Sequence, residues 1–134
     1  MNFGADDWQT GDAAIDEEHQ RFFDMTRRLI GVVKVGSDPG IIREAVDVLR
    51  DRMAVHGLAE ETYAAKHDGE TAAILRESHK ELLDSLRQVR DKVGHIPVGD
   101  LLSAVQAVGA AIDRHEVDVD VPLFRLITKT PRSA

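Results

Sequence analysis

Cysteine is absent from the 134-residue sequence, and aromatic residues make up only 4% of it. Without cysteine the chain cannot form disulfide bonds, cysteine-ligated zinc sites, iron–sulfur clusters or a thiol nucleophile. The scarcity of aromatic residues, together with abundant alanine, leucine, valine, glutamate and arginine, favours helices over sheets. We therefore expect a helical protein whose chemistry does not depend on thiol groups.

Basic residues are in the minority, with 17 lysines and arginines against 24 acidic residues and a formal net charge of -7. No basic cluster is present, so we expect neither a nucleic-acid partner nor an anionic membrane partner. No apolar run approaches membrane-spanning length, and residues 1–10 lack the basic and apolar regions of a signal peptide. These features predict a cytoplasmic protein, and the length fits a single domain over residues 1–134.

Apolar residues recur with helical spacing in four segments. The predicted helices span roughly residues 16–35, 39–67, 71–93 and 100–120. Because short turns join them, these segments predict an all-α fold, an up-down-up-down four-helix bundle.

The ends of these helices carry recognisable signals. Asp16, Asp38 and Asp100 stand where helices are predicted to start, so they are the expected N-caps. Gly69 is expected to take the left-handed conformation after the second helix. Pro122 is expected to stop the fourth helix, because proline removes a backbone hydrogen bond.

Polar residues interrupt the apolar face of every predicted helix. They are His19, His56, Glu60, His79 and His115. A single histidine on a core face is more often a hydrogen-bonded core residue than a ligand, but a buried carboxylate is costly unless it is paired or bound to metal. Since His56 and Glu60 are one helical turn apart, they can reach a single centre. Imidazole with carboxylate suits iron, manganese or zinc, and the absence of sulfur favours non-haem iron.

An ordered set of short motifs covers nearly the whole chain: Trp8, Gly11, the run IDEEHQ at 15–20, His56-x-x-x-Glu60, His79, and His115 followed five residues later by Asp120. In this order the sequence resembles the bacteriohemerythrins. The resemblance implies two irons per chain. His19 and His56 would bind one, His79 and His115 the other, and Glu60 and Asp120 would bridge them. Phe22 and Ile112 would line the ligand pocket.

One ligand of the family pattern is missing, because Leu75 stands where a histidine would precede His79 by four residues. Three consequences are open: both ions keep an open position, one ion binds tightly and the other weakly, or another side chain substitutes. Zinc or manganese in place of iron is a further alternative. Tyr63 is the candidate substitute, against the alternative of a core aromatic residue. His67 and His95 are expected at the surface.

The fourth helix departs from the family pattern at two acidic residues. Asp118 occupies a position that is usually apolar, and it is a candidate catalytic residue that would exchange protons at the site, or an extra ligand, or a solvated residue. Glu116 replaces a common isoleucine, and we expect it to point outward.

The resemblance implies a metal-binding protein that binds dioxygen or a related ligand such as nitric oxide, for carriage, storage or sensing. The alternative is an oxidase or peroxidase-type enzyme acting on dioxygen, peroxide or nitric oxide, and a further one is iron storage. A purely structural bundle is disfavoured by Glu60 on the core face.

Overall fold

The computed structural model describes residues 9–129, and of residues 127–129 only the backbone. Its elements in chain order are α1 (Ala13–Lys34), α2 (Pro39–Ala65), α3 (Gly69–Lys92), α4 (Val98–His115), a π-helical turn (Glu116–Asp120) and α5 (Val121–Lys129). Helices α1 to α4 close a ring, because α2 packs on α1 and α3, and α4 packs on α3 and α1. The predicted all-α four-helix bundle is confirmed. Within the described residues, no helix is long and apolar enough to cross a membrane.

Helix α1 begins earlier than predicted, because Asp12 and not Asp16 is its N-cap. The Asp12 carboxylate accepts hydrogen bonds from the backbone N–H groups of residues 14 and 15, at 3.0 and 3.1 Å. Asp16 instead accepts from the backbone N–H and the hydroxyl of Thr10, at 2.7 and 2.8 Å. Asp38 caps α2 as predicted. In both α1 and α2, the aspartate that accepts hydrogen bonds from free backbone N–H groups marks the start of the helix.

Helices α3 and α4 also begin earlier than predicted. Asp68 caps α3, and Gly69 is the first residue of that helix, so the prediction that Gly69 ends α2 in a left-handed conformation is wrong. Helix α4 begins at Val98, which places Asp100 inside the first turn and not at the N-cap. An acidic residue still stabilises the helix there, because it faces the positive end of the helix dipole.

The chain stays helical past Pro122, so the prediction that proline ends the fourth helix is wrong. Pro122 lies in the first turn of α5, where a missing N–H costs little. Directly before it, the Val121 N–H donates to the Glu116 carbonyl, five residues back. This π-helical turn separates two α-helical segments. Hydrogen bonds reach back five residues within the turn and four residues in the segments on either side.

Two apolar clusters fill the bundle, and the polar residues of interest lie between them. The larger cluster draws on all four long helices, with Leu29, Val46, Leu86 and Val105 among its buried members. The smaller cluster consists of Ala64, Ala72, Leu75 and Phe124. Any polar group between these clusters is shielded from water.

Candidate metal centre

Helices α1 and α2 supply one half of a buried polar cluster. The Nε2 atom of His19 lies 3.2 Å from Oε2 of Glu60 and 3.1 Å from Oδ2 of Asp120. On α2, one turn before Glu60, His56 Nε2 lies 3.0 Å from Oε1 of that carboxylate. His19, Glu60 and Asp120 are each at most 2% exposed.

Helices α3 and α4 supply the other half around the same two carboxylates. Nε2 of His79 lies 3.1 Å from Oε1 of Glu60, and Nε2 of His115 lies 2.8 Å from Oδ1 of Asp120. The rings of His79 and His115 are 4.9 Å apart. The structure thus brings together all six residues that the resemblance implied as ligands.

The atoms at the centre of this cluster fit metal ions better than hydrogen bonds. Five buried atoms face one another at 2.8–3.1 Å without forming hydrogen bonds: Nε2 of His56, His79 and His115, Oε1 of Glu60 and Oδ1 of Asp120. Buried polar atoms are normally paired, so these atoms require another explanation. They form two groups whose ligand atoms lie within 4.8 Å of one another, namely His19, His56, Glu60, Asp120 and Glu60, His79, His115, Asp120. Two ions that share Glu60 and Asp120 would satisfy them.

The π-helical turn is what brings Asp120 to this centre. In a regular α-helix, residues five positions apart lie about 140° apart around the axis, so His115 and Asp120 would not share a face. The wider π-helical turn between them lets both side chains point into the bundle. The unusual five-residue spacing was the sequence signal for this turn.

A sequence profile described as the hemerythrin HHE cation-binding domain matches residues 10–116. The chain belongs to the hemerythrin family. The match contains every implied ligand except Asp120, which follows its end, and Trp8 lies outside both the match and the described residues. Comparisons with curated proteins and with solved structures gave no match.

In this hemerythrin-family centre, hydrogen bonds between neighbouring side chains shift the pKa values of His19 and Glu60. Burial opposes a charge on His19, but hydrogen bonds to Asp120 and Glu60 and the charge of Glu116 outweigh it and raise the pKa of His19 to about 11. Burial likewise opposes the charge of Glu60, yet its imidazole partners, His19 first, hold the pKa of Glu60 well below its usual range. The two shifts favour a charged His19 beside a charged Glu60.

Two polar residues outside the predicted set orient the ligands of the α3–α4 half. Nδ1 of His79 lies 3.1 Å from Oε2 of Glu61, and Oε1 of Glu61 pairs with Nε of Arg76 at 3.3 Å. Nδ1 of His115 is hydrogen-bonded to the hydroxyl of Ser78. With Nδ1 occupied, Nε2 of each imidazole is directed at the centre. Sequence reasoning missed both partners, although each is adjacent in the chain to an implied ligand.

The predicted pocket-lining residues Phe22 and Ile112 border the small cavity at the centre, together with Met53. Phe22 and Ile112 are each 1% exposed, and the Phe22 ring lies 5.0 Å from the ring of His56. These apolar side chains leave the unpaired nitrogen and oxygen atoms as the polar lining of the cavity.

Leu75, at the position of the missing histidine, is fully buried in the smaller apolar cluster. The Tyr63 ring belongs to the same surroundings, because it stacks on Phe124 at 5.7 Å with an interplanar angle of 23°. This placement favours the core-aromatic interpretation of Tyr63 over the ligand interpretation. His67, whose ring touches Tyr63, and His95 are exposed, as expected.

Of the two acidic residues that depart from the family pattern, Asp118 matches one of its three alternatives and Glu116 lies opposite to expectation. Asp118 is exposed and does not border the central cavity. The prediction that Glu116 points outward is wrong, because it is only 4% exposed and borders that cavity. Burial, opposed by attraction to His19 and reinforced by repulsion from Asp120, raises the pKa of Glu116 well above its usual range.

Proposed function

We propose that this hemerythrin-family chain binds two iron ions and, at that centre, dioxygen or a related small ligand such as nitric oxide, for carriage, storage or sensing. One observation carries the proposal: two groups of four ligands, all buried except the partly exposed His56, share the carboxylates of Glu60 and Asp120. Shared carboxylates suit a pair of neighbouring ions and not two independent sites. Carboxylate-rich di-metal sites are commonly built in the cores of four-helix bundles.

The types of ligand favour iron. Each group offers two imidazoles and two carboxylates, and the chain contains no cysteine that would favour zinc or an iron–sulfur cluster. His19 and His56 would hold one ion, and His79 and His115 the other. Bound iron would supply the redox-active centre that a small diatomic ligand requires.

The protein itself would control what reaches this centre. Phe22, Met53 and Ile112 form the apolar part of the wall around the small cavity at the centre. Apolar side chains there disfavour bulk water, and the cavity volume of about 10 Å³ limits a ligand to a few atoms. Glu61 and Ser78 would keep the imidazoles of His79 and His115 aligned with the metal.

An oxidoreductase acting on dioxygen, peroxide or nitric oxide is the second candidate function. The observation that favours it is the buried carboxyl group of Glu116 beside the centre, where a reversible carrier would be expected to have an apolar residue. An acid in this place is a potential proton donor to a reacting ligand. Asp118, the sequence-based candidate for that role, is exposed.

Metal content per folded chain tests the proposal, with the protein purified without chelators and measured by elemental analysis. Two irons per chain are expected, and His115→Ala should lose metal whereas the exposed-site control His95→Ala should not. One metal per chain, or zinc in place of iron, would contradict the proposal. The reduced protein should then take up oxygen and release it on degassing. Steady consumption of oxygen or peroxide would instead identify the enzyme.

A further inference from the structure

Glu116 is a buried acid that the six-ligand centre leaves without a role. It is 4% exposed and borders the same small cavity as His19, Glu60 and Asp120. Asp118, two residues later on the same π-helical turn, is exposed. The turn therefore directs Glu116 and Asp120 into the site and Asp118 to solvent.

The position of Glu116 on the chain places it on the α1 side of the centre. His115, the residue before it, faces α3, because its Nδ1 is hydrogen-bonded to Ser78 and its ring lies 4.9 Å from that of His79. Successive residues of a helix point about 100° apart, so the buried side chain of Glu116 turns away from α3 and toward α1, the other helix on which α4 packs. Glu116 thus lies on the side of His19, which belongs to α1.

If Glu116 ionises at 4% exposure, its carboxylate needs a positive partner to offset its burial. The imidazole of His19 cannot fully supply it, because it already pairs with Glu60 and Asp120 at 3.2 and 3.1 Å. A divalent ion close to His19 would supply the missing positive charge, and carboxylate oxygen is a suitable ligand for iron.

We propose that Glu116 is an additional ligand of the ion held by His19 and His56, so that the open coordination position lies on the ion held by His79 and His115. Leu75 contributes to this asymmetry, because it leaves the second ion without a third imidazole. The inference rests on the proposed di-metal function. It places the ligand-binding position on the half of the centre next to Leu75.

Metal titration of the chelator-stripped protein tests the role of Glu116, with Co²⁺ as the probe and calorimetry as the readout. Glu116→Gln keeps the size of the side chain and should weaken one of the two Co²⁺ sites by about tenfold or more, the loss typical of a disturbed metal site. The matched control Asp118→Asn removes the exposed acid of the same turn and should leave both sites unchanged. Two unchanged sites in Glu116→Gln would overturn the proposal.

Combining Glu116→Gln with either of two histidine variants determines which ion Glu116 binds. In His79→Ala, the site that retains affinity is the His19–His56 site, and there Glu116→Gln should still weaken Co²⁺ binding. In His56→Ala, the retained site is the His79–His115 site, and Glu116→Gln should have no effect. The reverse pattern would place Glu116 on the other ion and overturn the assignment. Thermal unfolding without metal verifies that each variant folds.

Azide binding to the oxidised, iron-loaded protein tests the location of the open position. Leu75→His should lower azide affinity, because it adds an imidazole to the His79–His115 ion, and Glu116→Gln should not lower it. Any other pattern would overturn this location. If the parent protein binds no pair of ions at all, the proposed function fails. If it binds two and Glu116→Gln is unchanged, only the present inference fails.

Discussion

Gly57 on α2 lies directly against the imidazole of His79 on α3. A Cβ atom at Gly57 would stand 3.1 Å from Nδ1 and 3.2 Å from Cγ of that ring. The missing side chain gives the ring room to pass between the helices and reach Glu60. The cost is a glycine inside α2, because glycine destabilises the interior of a helix.

Gly57→Ala should therefore disturb the metal centre. We expect a loss of affinity for one ion by about tenfold, because the ring must shift by a few tenths of an ångström. The control is Gly31→Ala on α1, where nothing lies within 4 Å and the substitution should stabilise the fold by about 0.5–1 kcal/mol. Urea unfolding and Co²⁺ titration measure the two effects. A Gly57→Ala variant with unchanged affinity would show that the close contact is harmless.

Glu61 should act as a positioning residue for His79. Glu61→Gln weakens the acceptor that holds Nδ1, so we expect metal affinity to fall by about 10- to 100-fold, as for other outer-shell carboxylates. Glu77→Gln changes an exposed acid of α3 and is the matched control. Calorimetric titration with Co²⁺ is the measurement. Equal affinities in the two variants would remove Glu61 from the role.

Stability of the metal-free protein should fall at alkaline pH because of His19. The folded protein raises the pKa of His19 from 6.5 to about 11, so the folded state binds this proton more tightly than the unfolded state. The resulting stabilisation is complete below pH 6.5 and is lost as the pH rises through about 11. Urea unfolding across this range should show a steeper decline for the parent than for His19→Gln. His95→Gln, an exposed histidine, should decline like the parent, and equal slopes for all three would refute the prediction.

Leu75→His should lower the stability of the metal-free protein and increase the stabilisation that bound metal provides. Leu75 is fully buried among apolar side chains, so an imidazole there should cost the metal-free protein about 2–5 kcal/mol. Saturating metal should recover part of this loss, because binding to the native state adds stability. Leu75→Met, which conserves volume, should lose less and recover nothing extra on adding metal. Thermal unfolding with and without Co²⁺ measures both, and equal metal-dependent gains would contradict the expectation.

Much of this protein was determined by the sequence itself. The 3.6-residue period of apolar positions predicted four helices and their pairing into a bundle, because each helix must bury one face. The same period identified Glu60 and four histidines as polar residues on buried helix faces. Their order along the chain pointed to the family that the sequence profile shows. These properties belong to single helices and to residue identity, so no knowledge of helix contacts was needed.

The details of the centre were decided only by tertiary structure. Spacing along an α-helix predicts a side chain's direction while the regular period holds, and the π-helical turn breaks that period between His115 and Asp120. For this reason Glu116 lies inside, opposite to expectation, and Asp118 lies outside, as the solvated alternative had it. The pairing of His79 with Glu61, and of His115 with Ser78, depends on how neighbouring helices are rotated against each other. That rotation follows from packing across the whole bundle, where small groups such as Gly57 admit one arrangement of the rings.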